Sequence, residues 1–167
     1  MKKLLKTLLW ILGIIIAIIL IGGLFMPAKT ELAVSKVIEA NLYPTFKQVN
    51  CLKANANWCP WQNVKNISYS GPECGEGATM TWEDDMGGGK QVITESKPFE
   101  KISTTLDFGD QGKAKAAILF DKKDEGVKVT WNFSSDAAYP VGRWMSILFI
   151  KPMIKKSYTE GLKNLDS

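Results

Sequence analysis

The chain has 167 residues, enough for one globular domain and one appended segment. Hydrophobic residues make up 46% of it and charged residues 23%, which is the composition of a folded protein. There is no histidine, so Ser-His-Asp triads, Cys-His dyads and histidine-ligated zinc or haem are excluded. Three cysteines are too few for a four-thiolate zinc site. We therefore expect neither a metal nor another cofactor.

The net charge of +4 comes mostly from the first residues of the chain. Lys2, Lys3 and Lys6 carry positive charge, and residues 1–26 contain no acidic residue. The remainder has 18 basic and 17 acidic residues, a net charge of +1. A nearly neutral domain has no electrostatic attraction for nucleic acid, so no nucleic-acid partner is expected.

An uncharged apolar segment covers residues 8–26, which is 19 residues. As a helix it would extend roughly 28 Å, close to the thickness of a bilayer's hydrocarbon core. We favour a retained membrane anchor. A cleaved signal peptide is the first alternative, but small-x-small cleavage sites are poor here. A buried core helix is the second, and it is disfavoured because the segment has no polar face.

The lysines before the apolar segment predict its orientation. The positive-inside rule places them in the cytoplasm and the following domain outside. We therefore expect a single-pass protein of the cytoplasmic (inner) membrane, with residues 1–27 as the transmembrane anchor. Residues 28–167 would form one domain on the periplasmic or extracellular side.

An outside location permits disulfides. Cys51, Cys59 and Cys74 allow three single pairings, each leaving one thiol. Cys59 and Cys74 both lie in turn-like contexts, so we favour that pair. The alternative is three buried or half-buried thiols with no bond between them.

The domain is predicted to contain a first strand, a short helix, and then a series of strands. The short helix has Pro44 in its first turn. Apolar and polar residues alternate along the strand segments, which indicates an antiparallel meander with one solvated face. These segments are residues 30–38, 66–70, 78–83, 90–97, 101–108, 114–120 and 127–133.

Residues 140–165 differ, because their apolar side chains follow helical spacing. Pro152 should kink this helix near its middle, because it clashes with the carbonyl four residues back. The helix is the only predicted element long enough to cover the apolar face of the sheet. An α+β fold of this kind leaves an elongated cavity between sheet and helix, a usual place for an apolar ligand.

The order of these elements and a set of local motifs resemble the helix-grip superfamily. That superfamily includes START domains, birch-pollen allergens and polyketide cyclases. The chain is more closely similar to membrane-anchored bacterial members of the polyketide cyclase/dehydrase-like (SRPBCC) group. The motifs are Trp58-Cys59-Pro60-Trp61, Tyr69-Ser70-Gly71-Pro72, Gly75-Glu76-Gly77-Ala78, Thr81-Trp82-Glu83, Val127-Lys128-Val129-Thr130-Trp131 and Gly161-Leu162-Lys163-Asn164-Leu165.

The resemblance implies a curved antiparallel sheet around a long C-terminal helix, with a hydrophobic pocket between them. It does not imply one activity. We expect a membrane-tethered domain that binds a hydrophobic small molecule or lipid. One alternative is a cyclase or dehydratase acting on a polyketide-like substrate, although no inward carboxylate is evident and no catalytic residue is assigned. The other is an envelope structural or partner-binding module whose cavity is filled by side chains.

The predicted pocket residues share one apolar side of the sheet or the covering face of the helix. They are Trp82, Leu106, Phe120, Trp131, Trp144 and Leu148. Arg143 lies near the start of the helix and is a candidate for contact with an anionic head group. The alternative role for Arg143 is a surface or capping salt bridge.

Overall fold

The computed structural model describes residues 2–61, 64–85 and 87–166. The helices are α1 (Lys2–Phe25), α2 (Leu42–Asn50), α3 (Val141–Met145) and α4 (Lys151–Leu165), with a short 3₁₀ helix at Leu52–Asn57. The strands are β1 (Lys29–Ile38), β2 (Lys65–Ser70), β3 (Thr79–Glu83), β4 (Gly89–Lys97), β5 (Lys101–Asp107), β6 (Lys113–Lys123) and β7 (Gly126–Asp136).

The described strands form one antiparallel sheet in the order β1-β7-β6-β5-β4-β3-β2. Strands β2 to β7 follow one another as neighbours, so the predicted meander is confirmed. The first strand crosses to the far edge and pairs with the last, from Lys29 opposite Asp136 to Ile38 opposite Val127. This curved sheet and the helix that follows it form the helix-grip architecture.

The two faces of the sheet differ as the alternation predicts. On β7, Val127, Val129, Trp131 and Phe133 are buried and lie on the inner face, whereas Lys128 between them is exposed. Helix α4 covers this inner face, with fully buried side chains at Tyr158 and Leu162. The core therefore lies between the sheet on one side and α4, α2 and the 3₁₀ helix on the other, with Phe46, Val49 and Leu52 also buried in it.

The C-terminal helix is continuous but irregular. Residues 146–150 form a π-helical turn between α3 and α4. Pro152 follows directly, and it has neither an N–H for the regular helical bond nor room for the carbonyl four residues earlier. Where the sequence predicts a kink, the structure has a continuous helix with a wider π turn just before Pro152, and such a turn accommodates a local defect of this kind.

The disulfide joins Cys51 with Cys74, which corrects the Cys59–Cys74 pairing expected from turn contexts. Cys51 lies at the C-terminal end of α2, and the loop before β3 returns to that point. The Gly75 N–H donates to the Asn50 carbonyl there at 2.9 Å. Cys59 lies after the 3₁₀ helix, at the cavity beneath α4, and so is not part of this disulfide.

Helix α1 has 24 residues, and of these only Gly23 is buried. It is the one helix in the described part of the chain that is long and apolar enough to cross a membrane, a property that signal sequences share. Its side chains are too exposed for the core helix of a globular domain. The helix ends at Phe25, and β1 begins four residues later at Lys29.

Candidate functional site

A small cavity lies between the inner face of the sheet and α4. Its free volume is about 40 Å³, whereas pockets that hold drug-sized ligands enclose roughly 300–1,000 Å³. The residues that line it are Val49, Asn55, Trp58, Cys59, Trp61, Gln91, Ile102, Thr104, Leu106, Ala116, Ile118, Trp131 and Tyr158.

Four aromatic rings form one side of this cavity. Trp131 stacks in parallel on Tyr158, with ring centroids 3.7 Å apart and planes 10° apart. Trp58 meets the Trp131 ring edge-on at 5.2 Å. Trp61 contacts both rings of the stack, at 5.8 Å from Trp131 and 6.1 Å from Tyr158. Such edge-to-face and stacked pairs hold aromatic groups in defined positions.

The two tryptophans of the Trp58-Cys59-Pro60-Trp61 motif are held very differently. Trp58 is buried, and its indole N–H donates to the Gln48 carbonyl at 3.1 Å. Its own carbonyl accepts a hydrogen bond from the Asn164 side chain on α4 at 3.2 Å. Trp61, by contrast, is 42% exposed. Trp58 therefore forms a fixed wall, and Trp61 closes the cavity toward solvent.

Gly161 allows α4 to approach this aromatic group closely. A Cβ atom at Gly161 would lie 2.9 Å from the Trp131 ring and 3.1 Å from the Pro60 ring. Any larger residue would push the helix from the sheet or move Trp131 away from Tyr158. The glycine of the C-terminal motif therefore has a packing role.

Polar groups reach the cavity from Asn55, Cys59, Gln91 and Thr104. Asn55 is only 9% exposed, and its side-chain oxygen has no hydrogen-bond partner within the described residues. Its backbone carbonyl accepts bonds from the N–H groups of Trp58 and Cys59, at 3.2 and 2.7 Å, which fixes its position. A buried acceptor left without a hydrogen bond lowers the stability of the fold by about 1–3 kcal/mol. The unpaired Asn55 oxygen therefore needs a physical explanation.

The two titratable groups at the cavity are neutral at physiological pH. Burial raises the pKa of the Cys59 thiol to about 11, and a backbone hydrogen bond involving Trp61 offsets only part of that effect. Burial also raises the pKa of the Tyr158 hydroxyl far above its usual value. No carboxylate or cationic side chain is among the described residues that line the cavity.

Only two of the predicted pocket residues, Leu106 and Trp131, line this cavity. Trp82 and Phe120 are buried but belong to other parts of the core. The Trp82 ring meets Phe108 edge-on at 6.1 Å, and Phe120 packs against Phe46 at 5.3 Å. Alternation predicts that these side chains lie on the inner face. That face spans seven strands, so only some of its residues reach this one cavity.

The three predicted helix residues, Arg143, Trp144 and Leu148, lie away from the cavity. Leu148 is 56% exposed. The π turn adds a residue to the helical repeat and so shifts which side chains face the sheet. Ser146 occupies the inward position there, hydrogen-bonded to Thr30.

Arg143 and Trp144 contact α1. The Arg143 guanidinium donates to the carbonyls of Gly23 and Met26 at 3.0 and 3.3 Å. The Trp144 indole donates to the Ile19 carbonyl at 3.0 Å. Arg143 thus caps the C-terminal end of α1, where a cation is favourable, and it does so through backbone carbonyls instead of the expected salt bridge.

Asn55 and Tyr158 line the cavity, but no sequence pattern predicts them as site residues. Tyr158 follows the apolar helical spacing of residues 140–165 and gave no other signal. Asn55 lies in a short polar segment whose 3₁₀ helix has no amphipathic pattern to mark one side as buried. The paired tryptophans at 58 and 61 were the one signal that pointed to this part of the chain.

No family model matches the sequence, and no curated protein does. Solved structures do share the fold. KanY matches with a TM-score of 0.64 at 12% identity, over 84% of this chain and 97% of that one. The Aha1 dimer from Colwellia psychrerythraea matches with a TM-score of 0.61 at 13% identity, over 81% of this chain and 92% of that one.

DynU16, from the dynemicin biosynthetic locus, matches with a TM-score of 0.60 at 13% identity. The match covers 82% of this chain but only 46% of DynU16, so this chain spans about half the length of that protein. At these identities the comparisons establish the helix-grip fold and nothing about activity.

Proposed function

We propose that this protein is a membrane-tethered binding protein for a compact, largely apolar molecule that carries one N–H or O–H donor. The observation that carries the proposal is the unpaired Asn55 oxygen beside the aromatic cavity. A bound donor would satisfy that acceptor, and the aromatic rings would cover the rest of the ligand. A few polar groups in an apolar pocket are the usual arrangement for small-molecule recognition.

The size of the cavity favours a compact ligand over a fatty acyl chain. The free space of about 40 Å³ is enough for a water molecule or a small substituent. A planar ring would enter by displacing Trp61, which is already 42% exposed. A long acyl chain would require Trp58, Trp131 and Tyr158 to move as well, and these three are buried.

Binding is favoured over the cyclase or dehydratase alternative. Acid-base catalysis works best with a group whose pKa is near the operating pH. Cys59 and Tyr158 have raised pKa values and remain protonated. The cavity therefore offers neutral hydrogen-bonding groups, which suit recognition better than proton transfer.

The tethering part of the proposal depends on α1. Its apolar length fits a bilayer, and the lysines at its start favour a cytoplasmic location for that end. The binding domain would then lie immediately outside the membrane.

The experiment is calorimetric titration of the full chain in detergent micelles with indole and with benzofuran. The two molecules have nearly the same shape, but only indole has an N–H donor. We expect indole to bind at least about tenfold more tightly, corresponding to one hydrogen bond to a buried acceptor. The variant Asn55→Leu should abolish that preference, whereas Asn57→Leu, on the exposed side of the same 3₁₀ helix, should retain it.

The Asn55→Leu variant should also be more stable than the wild type without ligand, by about 1 kcal/mol, because the unpaired acceptor is removed. If neither probe binds and the variant is no more stable, the proposal fails. The small free volume would then favour the second candidate, a structural or partner-binding module whose cavity is filled by its own side chains.

A further inference from the structure

An exposed apolar face runs along the first half of the C-terminal helix. Val141, Met145, Leu148, Phe149 and Met153 are each between 44% and 59% exposed. Their spacing of four, three, one and four residues puts them on one side of the helix. The opposite side faces the sheet. We call these five residues the outer apolar face; contiguous apolar surface of this kind marks an interaction site.

This face adjoins the end of α1. The Trp144 indole donates to the Ile19 carbonyl and the Tyr139 hydroxyl donates to the Leu20 carbonyl, both at 3.0 Å. Gly22 permits the contact, since a Cβ atom there would lie 2.5 Å from the Trp144 ring. The start of the C-terminal helix is thereby held beside the last two turns of α1.

The depth of this contact in a bilayer follows from the length of α1. A bilayer core requires about 20 helical residues. If that core begins at Leu4, its twentieth residue is Gly23, and Ile19 lies about 6 Å inside the boundary at 1.5 Å per residue. If the core begins at Leu8 instead, Ile19 lies deeper. Either placement brings Trp144 to the membrane boundary or below it, so the helix that carries Trp144 lies at the bilayer surface and not away from it.

The charges next to the outer apolar face suit an anionic surface. Lys151, Lys155 and Lys156 are exposed, and no acidic residue occurs between positions 141 and 159. Basic residues beside an exposed apolar helix face are the pattern of a helix that lies in the membrane interface.

We infer that the outer apolar face inserts into the outer leaflet of the phospholipid bilayer next to α1. The domain then rests on the membrane instead of moving freely on its tether. This inference rests on the tethering part of the proposed function. It assigns the bilayer itself as the partner of residues 141–153, separately from any ligand of the cavity.

The test places a polarity-sensitive fluorophore on Phe149→Cys in the full chain, reconstituted into nanodiscs of phosphatidylcholine and phosphatidylglycerol. A Cys59→Ala background removes the thiol outside the disulfide. The matched control is Leu119→Cys, an exposed apolar residue on the outer face of the sheet. We expect acrylamide to quench the fluorophore at position 149 at least about threefold less than the one at 119, since an inserted side chain is shielded from water.

Equal quenching at both positions, in chains that co-elute with nanodiscs, would overturn the insertion and leave the tether intact. Chains that fail to co-elute with nanodiscs would overturn the tether and the insertion together. Leu148→Cys provides a second site on the same face and should behave like Phe149→Cys. Replacing the three lysines with glutamine should remove any extra protection seen with phosphatidylglycerol.

Discussion

Trp131 of β7 and Tyr158 of α4 stack face to face, with ring centroids 3.7 Å apart. This contact joins β7, the second strand of the sheet, to the middle of α4. It also forms one wall of the cavity, so the same rings contribute to stability and to the candidate site. Changes in this stack should therefore affect both properties.

Trp131→Ala should lower the free energy of unfolding by about 3–5 kcal/mol, because it removes a buried ring and leaves a large void. Trp131 is 5% exposed and contacts Trp58, Trp61 and Tyr158. Chemical denaturation monitored by circular dichroism measures the loss. The control is Thr130→Glu on the outer face, where a change of less than about 1 kcal/mol is expected for a surface position. A comparable loss in both variants would show that Trp131 is not a core residue.

Removal of the Cys51–Cys74 disulfide should lower the free energy of unfolding by about 3 kcal/mol. The bond joins residues 23 positions apart, and a loop of that size loses about this much chain entropy when it is closed. The measurement compares unfolding of the Cys51→Ser/Cys74→Ser variant with that of the wild type, each with and without reductant. Reductant should destabilise the wild type and have no effect on the variant. A Cys59→Ala protein that loses its response to reductant would contradict the pairing.

Alkylation of Cys59 by iodoacetamide should be slow at neutral pH. Burial raises the thiol pKa to about 11, and only the thiolate reacts, so the rate should rise about tenfold per pH unit below that value. Trp61→Ala should accelerate the reaction at constant pH by opening the cavity to solvent. Mass spectrometry of the modified peptide gives the rate, and an unchanged rate in Trp61→Ala would show that Trp61 does not control access.

Stability should decrease in acid because three carboxylates, Glu95, Asp107 and Asp166, have lowered pKa values. Bonds from Lys113 and the Gly109 N–H lower the pKa of Asp107. Bonds from Lys101, Ser103 and Lys97 lower the pKa of Glu95 to about 2, and bonds from Lys36 and the Glu39 N–H lower that of Asp166. A lowered folded-state pKa stabilises the protein above the unfolded-state pKa, and this contribution is lost as pH falls through the folded value.

The free energy of unfolding should therefore fall between about pH 5 and pH 2, and Glu95→Gln should make that decline shallower. Thermal unfolding across this range provides the measurement. Glu125→Gln, in the exposed turn between β6 and β7, is the control and should leave the decline unchanged. A steeper decline in Glu95→Gln would contradict the assignment.

The alternation of apolar and polar residues predicted the strands and the inner faces of β6 and β7, whereas β2 is exposed along its whole length. Along most of β6 and β7 buried side chains alternate with more exposed ones, and this period of two is a local property that any strand must satisfy. The helical spacing of residues 140–165 likewise predicted the covering helix. Both patterns show which side of a strand or helix is kept from water. They can be read without knowing which other elements pack against it.

Only the tertiary structure determined which of those inner residues meet at one place. Trp82 lies on β3, four strands from β7, and Phe120 lies two residues along β6 from Ile118, the residue opposite Trp131. The π turn near Pro152 directs Leu148 outward. The 3₁₀ helix brings Asn55 beneath α4, although its sequence has no amphipathic period. The sequence of each strand or helix determines which of its faces is buried. Which buried residues meet at one cavity depends on how the elements are arranged relative to one another, and the sequence pattern of a single element does not contain that arrangement.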